Sequence, residues 1–306
     1  MPTTRLTRRT FMALAALPAL KATRSLYAAE PPALRFGVAA DAQYMDHDTR
    51  GVRHYRMSLG KLAACVDDFN AKPLDFTIHL GDFIDQKFES FDALMPIWNR
   101  LTMPKYHVLG NHDFAVAAAQ RDQVPAKLGM PSRYYDFAVK GWRFIVLDTM
   151  DVSFLGAAKG SAKRAQAKVI QQKLKAAKAV NAVTWNGALG AEQMAWLKGR
   201  LDAATQAGER VILFAHMPVC PPNVHNLWSD AAVLALIDAY PCVAAYLNGH
   251  NHAGNYAERK GVHYLTIHGM VDTTRNAYGV VEVYADRLEV IGTGRVPSGT
   301  LKVGAR

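Results

Sequence analysis

Two neighbouring stretches, LDFTIHLGDFID at residues 74–85 and KYHVLGNHDF at residues 105–114, decide the predicted fold. Each is an apolar run of strand length that ends in a glycine and is followed by polar side chains. The polar residues are Asp82, Asp85, Asn111, His112 and Asp113. A helical pattern lies between the two stretches, so together they predict a strand–helix–strand unit. Ligands of such sheets bind beyond the carboxyl ends of the strands, which is where these side chains are expected.

The first 29 residues predict an export signal. Residues 7–12 (TRRTFM) contain a twin-arginine pair, and the apolar run that follows, residues 13–20, is too short for a stable membrane anchor. The position of this stretch, its hydrophobicity and its lack of acids favour a twin-arginine signal peptide over a disordered basic tail. We therefore expect the twin-arginine export machinery as a partner, and a periplasmic or secreted bacterial protein as the product.

The predicted signal peptide also accounts for half of the net positive charge. The chain has a formal charge of +10, but the first 29 residues supply five basic residues and no acid, so the remainder carries only +5. A mild positive balance suits anionic small molecules and argues against nucleic acid as a partner. The three cysteines match neither a disulfide framework nor a C-x-x-C metal site. We expect at least two of them to be buried thiols; pairing in an oxidising compartment is the alternative.

The rest of the chain alternates between strand and helix patterns before it becomes purely strand-like. Further strands are predicted at residues 34–40, 134–139, 142–147, 211–215, 243–247, 262–267, 279–284 and 287–291. Helices are predicted at residues 52–70, 91–101, 191–205 and 229–240. No internal repeat or linker interrupts the pattern, so residues 30–306 are predicted to form a single domain. The predicted fold class is α/β, a four-layer αββα sandwich of two mixed β-sheets flanked by helices.

Residues 157–180 differ from the rest in composition. They are rich in alanine and contain seven lysines and arginines without an acid. We interpret them as a helical insertion with a solvated face. Binding of an acidic partner or a membrane surface is the alternative.

Five predicted strand ends carry polar side chains that suit metal ions. The set comprises Asp41 and Gln43, Asp82 and Asp85, Asn111 to Asp113, His216, and His250 with His252. Carboxylate, amide and imidazole groups without a thiolate favour Mn²⁺, Fe or Zn²⁺. The donors are too many for one ion and enough for two. Two ions sharing an aspartate lower the pKa of a shared water and hold a phosphoryl group for in-line attack.

Each block alone has a structural alternative, since Gly-Asp-x-x-Asp also forms simple turns and Asn-His-Asp also caps helices. The ordered set is specific, and it resembles the calcineurin-like metallophosphoesterase superfamily. The matching blocks are Asp41-x-Gln43, Gly81-Asp82-x-x-Asp85, Gly110-Asn111-His112-Asp113, Ala215-His216 and Gly249-His250-Asn251-His252. The first block usually has histidine where this chain has Gln43. That departure is shared by the branch of manganese-dependent ADP-ribose/CDP-alcohol diphosphatases, which the chain resembles from about residue 36 to 297.

The resemblance implies roles for these residues. Asp41, Gln43 and His252 would hold one metal ion; Asn111, His216 and His250 would hold the other, with Asp82 as the bridge. The implied cofactors are two divalent ions, Mn²⁺ by preference, with Fe and Zn²⁺ as alternatives. His112 would stabilise the developing charge or protonate the leaving oxygen, and Asp85 or Asp113 would orient it or a metal ligand.

The implied activity is hydrolysis of the phosphoanhydride of ADP-ribose or CDP-alcohols by a metal-bound hydroxide. A phosphomonoesterase or cyclic-nucleotide phosphodiesterase with the same metals is the alternative enzyme, and a broken ligand set would have indicated a non-catalytic binding protein. Four residues are candidates for substrate binding: Tyr44, Arg53, Trp185 and Asn186. Tyr44 either stacks on a base or belongs to the core. Arg53 or Arg56, placed on one helix, would hold the distal phosphate, with simple solvation as the alternative. The remaining histidines are interpreted as structural; for His225, a loop that meets the site is the alternative.

Overall fold

The computed structural model describes residues 30–304, which contain fourteen strands and six α-helices. The strands are β1 (Leu34–Ala39), β2 (Phe76–His79), β3 (Lys105–His107), β4 (Tyr135–Val139), β5 (Trp142–Val146), β6 (Val152–Ser153), β7 (Gly187–Ala188), β8 (Arg210–Phe214), β9 (Val243–Asn248), β10 (Asn255–Arg259), β11 (Val262–Thr266), β12 (Ala277–Val283), β13 (Arg287–Gly294) and β14 (Gly299–Lys302). The helices are α1 (Met57–Asn70), α2 (Ser90–Trp98), α3 (Val124–Lys127), α4 (Ala162–Ala176), α5 (Ala191–Gln206) and α6 (Asp230–Ile237).

Two six-stranded mixed sheets carry the fold. The first has the order β14-β13-β12-β1-β2-β3, and β1, β2 and β3 run parallel as the strand–helix–strand pattern requires. The second has the order β10-β11-β9-β8-β5-β4, with a parallel centre and antiparallel edge strands. The expected arrangement of two mixed sheets with helices outside is confirmed.

Aromatic side chains join the two sheets. The Phe36 and Phe76 rings of the first sheet are stacked with centroids 4.9 Å apart, and each meets Phe144 of the second sheet edge-on. Phe144 in turn stacks on Phe214, at 5.8 Å. All four side chains are buried. Burial of such rings, at about 1.5 to 3 kcal/mol each, holds the sheets face to face and keeps their strand ends at a common edge.

The first helix begins later than the sequence pattern predicted. Residues 52–56 form turns rather than the first turns of α1, because the backbone of Arg53 pairs with Arg50 and His54 N–H bonds to Val271 O. Tyr55, which lies within the predicted helix at residues 52–70, packs with Met45 and Val271 in a separate cluster. The sequence also missed the short or exposed strands β6, β7, β10 and β14.

The basic segment is helical over Ala162–Ala176, within the predicted range of residues 157–180. Its apolar side is covered by a small cluster that includes Val152, Ala167 and Trp228. The two alternatives for its basic face stay open. All three thiols are free, with Cys65 and Cys242 buried. Among residues 30–304, no helix has the length and hydrophobicity needed to cross a membrane. The predicted signal at residues 1–29 lies outside the described residues.

Candidate metal centre

The strand ends bring the predicted metal ligands together at one edge of the sandwich. Four of these residues have left-handed backbone conformations without being glycine: Asp41 (φ 53°), Gln43 (φ 39°), Asp82 (φ 55°) and His250 (φ 69°). Such conformations cost about 1 to 3 kcal/mol each and persist where the surrounding structure enforces them. Here they turn ligand side chains from the strand direction towards a common point.

One half of the centre is formed by Asn111, His216 and His250. His216 Nε2 lies 3.2 Å from both Asp82 Oδ2 and Asn111 Oδ1. Ligand atoms of Asp82, His216 and His250 all lie within 4.8 Å of one another. His216 Nδ1 donates to Leu80 O, so its Nε2 is the nitrogen that remains for a metal.

The other half is formed by Asp41, Gln43 and His252. His252 Nε2 lies 3.5 Å from Asp41 Oδ1 and 3.1 Å from Gln43 Nε2. Gln43 Nε2 also donates to Asp82 Oδ2 at 2.9 Å. The same carboxylate oxygen of Asp82 therefore faces both halves, as a bridging ligand must, while Asp82 Oδ1 accepts the backbone N–H of His112 at 2.7 Å.

The Gln43 amide has one polar atom that finds no hydrogen-bond partner in the described part of the chain. Its Oε1 is buried without a hydrogen-bond partner among the described residues, while its Nε2 points at the carboxylate. Rotating the amide by half a turn exchanges the two atoms and aims the oxygen at Asp82 and His252. An oxygen in that position can ligate a metal, so the unpaired amide atom fits a site for a divalent ion.

Two of the motif glycines are required by close contacts. A Cβ on Gly110 would lie 2.1 Å from Asp82 Oδ1, and one on Gly81 would lie 2.6 Å from His216 Nδ1. Any side chain at these positions would displace the bridging carboxylate or the imidazole. Gly81 and Gly110, which directly precede the ligands Asp82 and Asn111, are therefore part of the ligand geometry.

Two histidines of the centre have raised pKa values, so protons on them would offset the carboxylate charge in the metal-free protein. Burial lowers the pKa of His216, but the carboxylates of Asp82 and Asp41 outweigh it and raise that pKa to about 9. Burial likewise lowers the pKa of His252, and Asp41 with Asp272 raises it to about 9. Burial raises the pKa of Asp82, but His216 and His112 hold it well below its ordinary value. Divalent cations would replace these protons.

His112 lies beside the centre and is held by Asp85. Its Nδ1 is 2.5 Å from Asp85 Oδ1, a buried oxygen. Burial lowers the pKa of His112, and Asp82 and Asp85 together raise it above the ordinary value. Of the two predicted roles for Asp113, orienting a metal ligand or orienting His112, its contacts favour the first. Its carboxylate accepts the backbone N–H groups of Asp82, Phe83, Ile84 and Gly110 at 2.8 to 3.2 Å. Asp85 therefore orients the imidazole, and Asp113 orients the loop that carries Asp82.

A cleft of about 500 Å³ opens over the centre. Its lining includes Asp82, His112 and three side chains from other loops, Arg53, Trp185 and His225. Within residues 30–304 the Arg53 guanidinium makes no side-chain hydrogen bond or ion pair. The Trp185 side chain is 42% exposed. An unpaired cation and an open aromatic face beside a metal centre suit a phosphorylated, ring-bearing ligand.

The other two candidates for substrate binding occupy different positions. Tyr44 packs against the hydrophobic core and bridges to Ile84, which favours the core alternative over stacking on a base. Asn186 is fully buried: its Nδ2 donates to the carbonyls of Asn181, Val224 and Asn226, and its Oδ1 lies 3.0 Å from His250 Nε2. It therefore orients His250, whose Nδ1 is left for a metal, and does not face a substrate.

Arg56 was an alternative to Arg53 and is committed elsewhere. It forms ion pairs with Asp46 and Asp48 on the surface, and its side chain is 53% exposed. The two arginines do not share a helix, since both precede Met57.

Sequence reasoning missed Asp272, and it favoured a structural role for His225 over a position in a loop that meets the site. Asp272 Oδ1 lies 2.9 Å from His252 Nδ1, and the His225 ring lies 5.3 Å from that of His250. Asp272 follows an apolar stretch, as the metal ligands do. It does not directly follow a strand, however, because β11 ends six residues earlier, at Thr266, so a search for polar residues at strand ends does not find it. For His225 the sequence offers no signal beyond its position in a polar loop.

Comparisons with known proteins agree on the family. A profile for the calcineurin-like phosphoesterase family matches residues 34–254. Manganese-dependent ADP-ribose/CDP-alcohol diphosphatases from Oryza sativa subsp. japonica and Homo sapiens are each 31% identical to this chain, over 87% and 86% of it and 92% and 90% of their own lengths. A solved structure of a dimetal phosphatase from Danio rerio is 25% identical and superposes with a TM-score of 0.81, covering 89% of this chain and all of that one.

The donor set fits the two divalent ions that these comparisons imply. Each half offers oxygen and imidazole donors around one shared carboxylate. Each histidine also has its second ring nitrogen held: His216 by Leu80 O, His250 by Asn186 and His252 by Asp272. Such outer contacts fix the tautomer that a metal needs.

Proposed function

Because the chain belongs to the calcineurin-like phosphoesterase family, we propose that it hydrolyses the phosphoanhydride bond of nucleoside diphosphate-linked compounds, ADP-ribose and CDP-alcohols among them. The observation that carries the proposal is the single cleft that joins the Asp82 centre to an unpaired guanidinium and an open indole. The relatives from Oryza sativa and Homo sapiens, named manganese-dependent ADP-ribose/CDP-alcohol diphosphatases, support the same substrate class. The enzyme is a dinuclear metal-dependent hydrolase, with Mn²⁺ as the favoured ion.

Arg53 would bind the diphosphate of such a substrate, and Trp185 would bind its nucleobase. A guanidinium binds phosphate oxygens through paired N–H donors, and Arg53 has these donors free of side-chain partners within residues 30–304. The indole of Trp185 offers a flat face on which a nucleobase stacks. The cleft volume of about 500 Å³ lies within the range of small-molecule sites.

Hydrolysis adds water to one phosphorus and breaks the bond to the bridging oxygen, giving a nucleoside monophosphate and a phosphorylated sugar or alcohol. Two divalent ions, when bound, supply the positive charge that activates water and stabilises the phosphoryl group. His112 would donate a proton to the departing oxygen, because Asp85 occupies its Nδ1 and leaves Nε2 available. Arg53 would hold the phosphate that leaves.

A substrate panel tests this proposal. Turnover of ADP-ribose, CDP-choline, 2′,3′-cyclic AMP and p-nitrophenyl phosphate is compared in Mn²⁺ and in Mg²⁺. We expect the highest kcat/KM with one of the two diphosphates in Mn²⁺. A preference for p-nitrophenyl phosphate would indicate a phosphomonoesterase, and a preference for the cyclic nucleotide would indicate a phosphodiesterase; either result would contradict the proposal.

We also propose that the protein is exported by the twin-arginine route to the periplasm or beyond. The sequence of residues 7–20 supports this. Replacing Arg8 and Arg9 together by lysine keeps the charge and removes the recognised pair. We expect the double variant to accumulate inside the cell, as measured by immunoblotting of cell fractions. Unchanged export of this variant would contradict a twin-arginine signal.

A further inference from the structure

Lys61, in helix α1, is a buried lysine with all three ammonium donors in use. The residue is 6% exposed. Its Nζ donates to the backbone carbonyls of Met270 at 2.8 Å, Asp272 at 3.2 Å and Thr273 at 2.6 Å. A buried charge is costly unless it is hydrogen-bonded, and these three carbonyls provide that bonding. Segment 270–273 is therefore wrapped around the ammonium.

The same segment supports one half of the metal centre. Its Asp272 carboxylate lies 2.9 Å from His252 Nδ1, which turns His252 Nε2 towards Asp41 and Gln43. Its backbone also contacts the first ligand loop, because Met270 N–H donates to Ala40 O and Val271 N–H donates to Asp41 O, each at 2.9 Å. One short segment thus fixes both Asp41 and His252.

The support is one-sided. The half formed by Asn111, His216 and His250 is oriented by Leu80 O and by Asn186, neither of which contacts Lys61. On the side of His252, Arg295 adds a second cation: its guanidinium donates to Gly269 O and His252 O, each at 2.9 Å. Loss of the ammonium should therefore loosen Asp272 and leave the opposite half in place.

We propose that Lys61 is a positioning residue that sets the affinity for the metal ion held by Asp41, Gln43 and His252, without contacting that ion. This rests on the proposed two-metal function. The ammonium fixes segment 270–273, the segment fixes Asp272, and Asp272 fixes the tautomer and orientation of His252. Contacts of this kind behind a ligand change metal affinity by about 10- to 100-fold.

The experiment compares Lys61→Met with the wild type in Mn²⁺ titrations of metal-free protein by calorimetry, with electron paramagnetic resonance of the coupled Mn²⁺ pair as a second readout. Methionine approximates the length of the lysine stem and removes its charge and donors. We expect one binding step to weaken about 10- to 100-fold while the other stays within about twofold. The coupled signal should be lost at low Mn²⁺ and regained at high Mn²⁺, with recovery of kcat. Lys72→Met, a surface lysine paired with Asp68, is the matched control and should leave both steps unchanged.

If Lys61→Met does not fold, Lys61→Gln, which removes the charge but keeps two donors, takes its place. Asp272→Asn is the second variant, and it tests the step from the segment to His252. It keeps the backbone carbonyls that bind Lys61 and removes the charge that holds His252 Nδ1. The same single step should weaken. If a folded variant shows both steps unchanged, or both weakened equally, the proposal is wrong. If the wild type binds two ions with separate affinities but does not cleave the diphosphates, the substrate proposal fails and the result for Lys61 still stands.

Discussion

His112 Nδ1 lies 2.5 Å from Asp85 Oδ1, so the imidazole is oriented by a buried carboxylate while its backbone N–H donates to Asp82 Oδ1. Burial opposes the charged form of His112, but Asp82 and Asp85 outweigh it and raise the pKa above the ordinary value. The Nδ1 of His112 is occupied by Asp85, which is not a metal ligand of the centre. This separates His112 from the histidines of the centre, whose ring nitrogens face Asp41 or Asp82.

His112→Ala should retain both metal ions and lower kcat by about 100-fold or more, because it removes the proton donor and no ligand. Metal content measured by mass spectrometry and steady-state kinetics check this together. Loss of bound metal in the variant would make His112 structural.

Asp85→Asn gives the matching pH test. The Asp85 carboxylate raises the pKa of His112, so removing its charge lowers that pKa. If the protonated form is active, the fall in rate on the alkaline side should move to lower pH. An unmoved pH profile would mean that His112 does not supply the titrating group.

The sequence predicted the centre because each ligand follows a strand with a strong apolar pattern. β1, β2, β8 and β9 are buried almost throughout, so their runs are easily recognised and their ends locate Asp41, Asp82, His216 and His250. Short or solvent-exposed strands such as β7 and β10 lack such a run, and the sequence did not indicate them.

The residues that support the metal ligands from behind could not be predicted from the sequence, for a different reason. Lys61 in helix α1 donates to the backbone carbonyl of Asp272, which lies 211 residues further along the chain, and no local sequence pattern predicts that contact. Arg53 was placed on a helix because apolar spacing continues into residues 52–56. Two long-range backbone bonds, from His54 N–H to Val271 O and from Thr273 N–H to Val52 O, decide the conformation there. Tertiary contacts override the local sequence pattern where distant residues hold the backbone in another conformation.

Asp113→Asn should destabilise the metal-free protein by about 2 to 4 kcal/mol, since a buried carboxylate that accepts four backbone N–H groups becomes an amide with one acceptor. Chemical denaturation measures the loss. Asp75→Asn, which changes a partly exposed carboxylate of the same sheet, is the control and should cost less. An equal cost for both would contradict the structural role of Asp113.

Metal uptake should strengthen as the pH rises towards about 9. His216 and His252 have pKa values of about 9 because nearby carboxylates outweigh burial, so both are protonated at neutral pH in the metal-free protein. Ions must displace these protons, and raising the pH removes that competition. Calorimetry in buffers of different ionisation enthalpy gives the number of protons released. Affinity for Mn²⁺ that does not change between pH 6.5 and 8.5 would contradict this ionisation state.

Arg53→Gln should raise KM for a nucleoside diphosphate substrate by about 10-fold or more and leave both metal affinities unchanged, because the guanidinium lines the cleft but makes no contact with a metal ligand in the described chain. Arg56→Gln is the matched control: it lies three residues away, outside the cleft, with its charge already paired to Asp46 and Asp48. The expected difference is in KM, measured with the best substrate of the panel at saturating Mn²⁺. Equal effects of the two substitutions would mean that general positive charge near the cleft, and not a phosphate contact at Arg53, attracts the substrate. Repeating the comparison at high salt separates these two explanations, because salt screens the general charge effect and spares a direct contact.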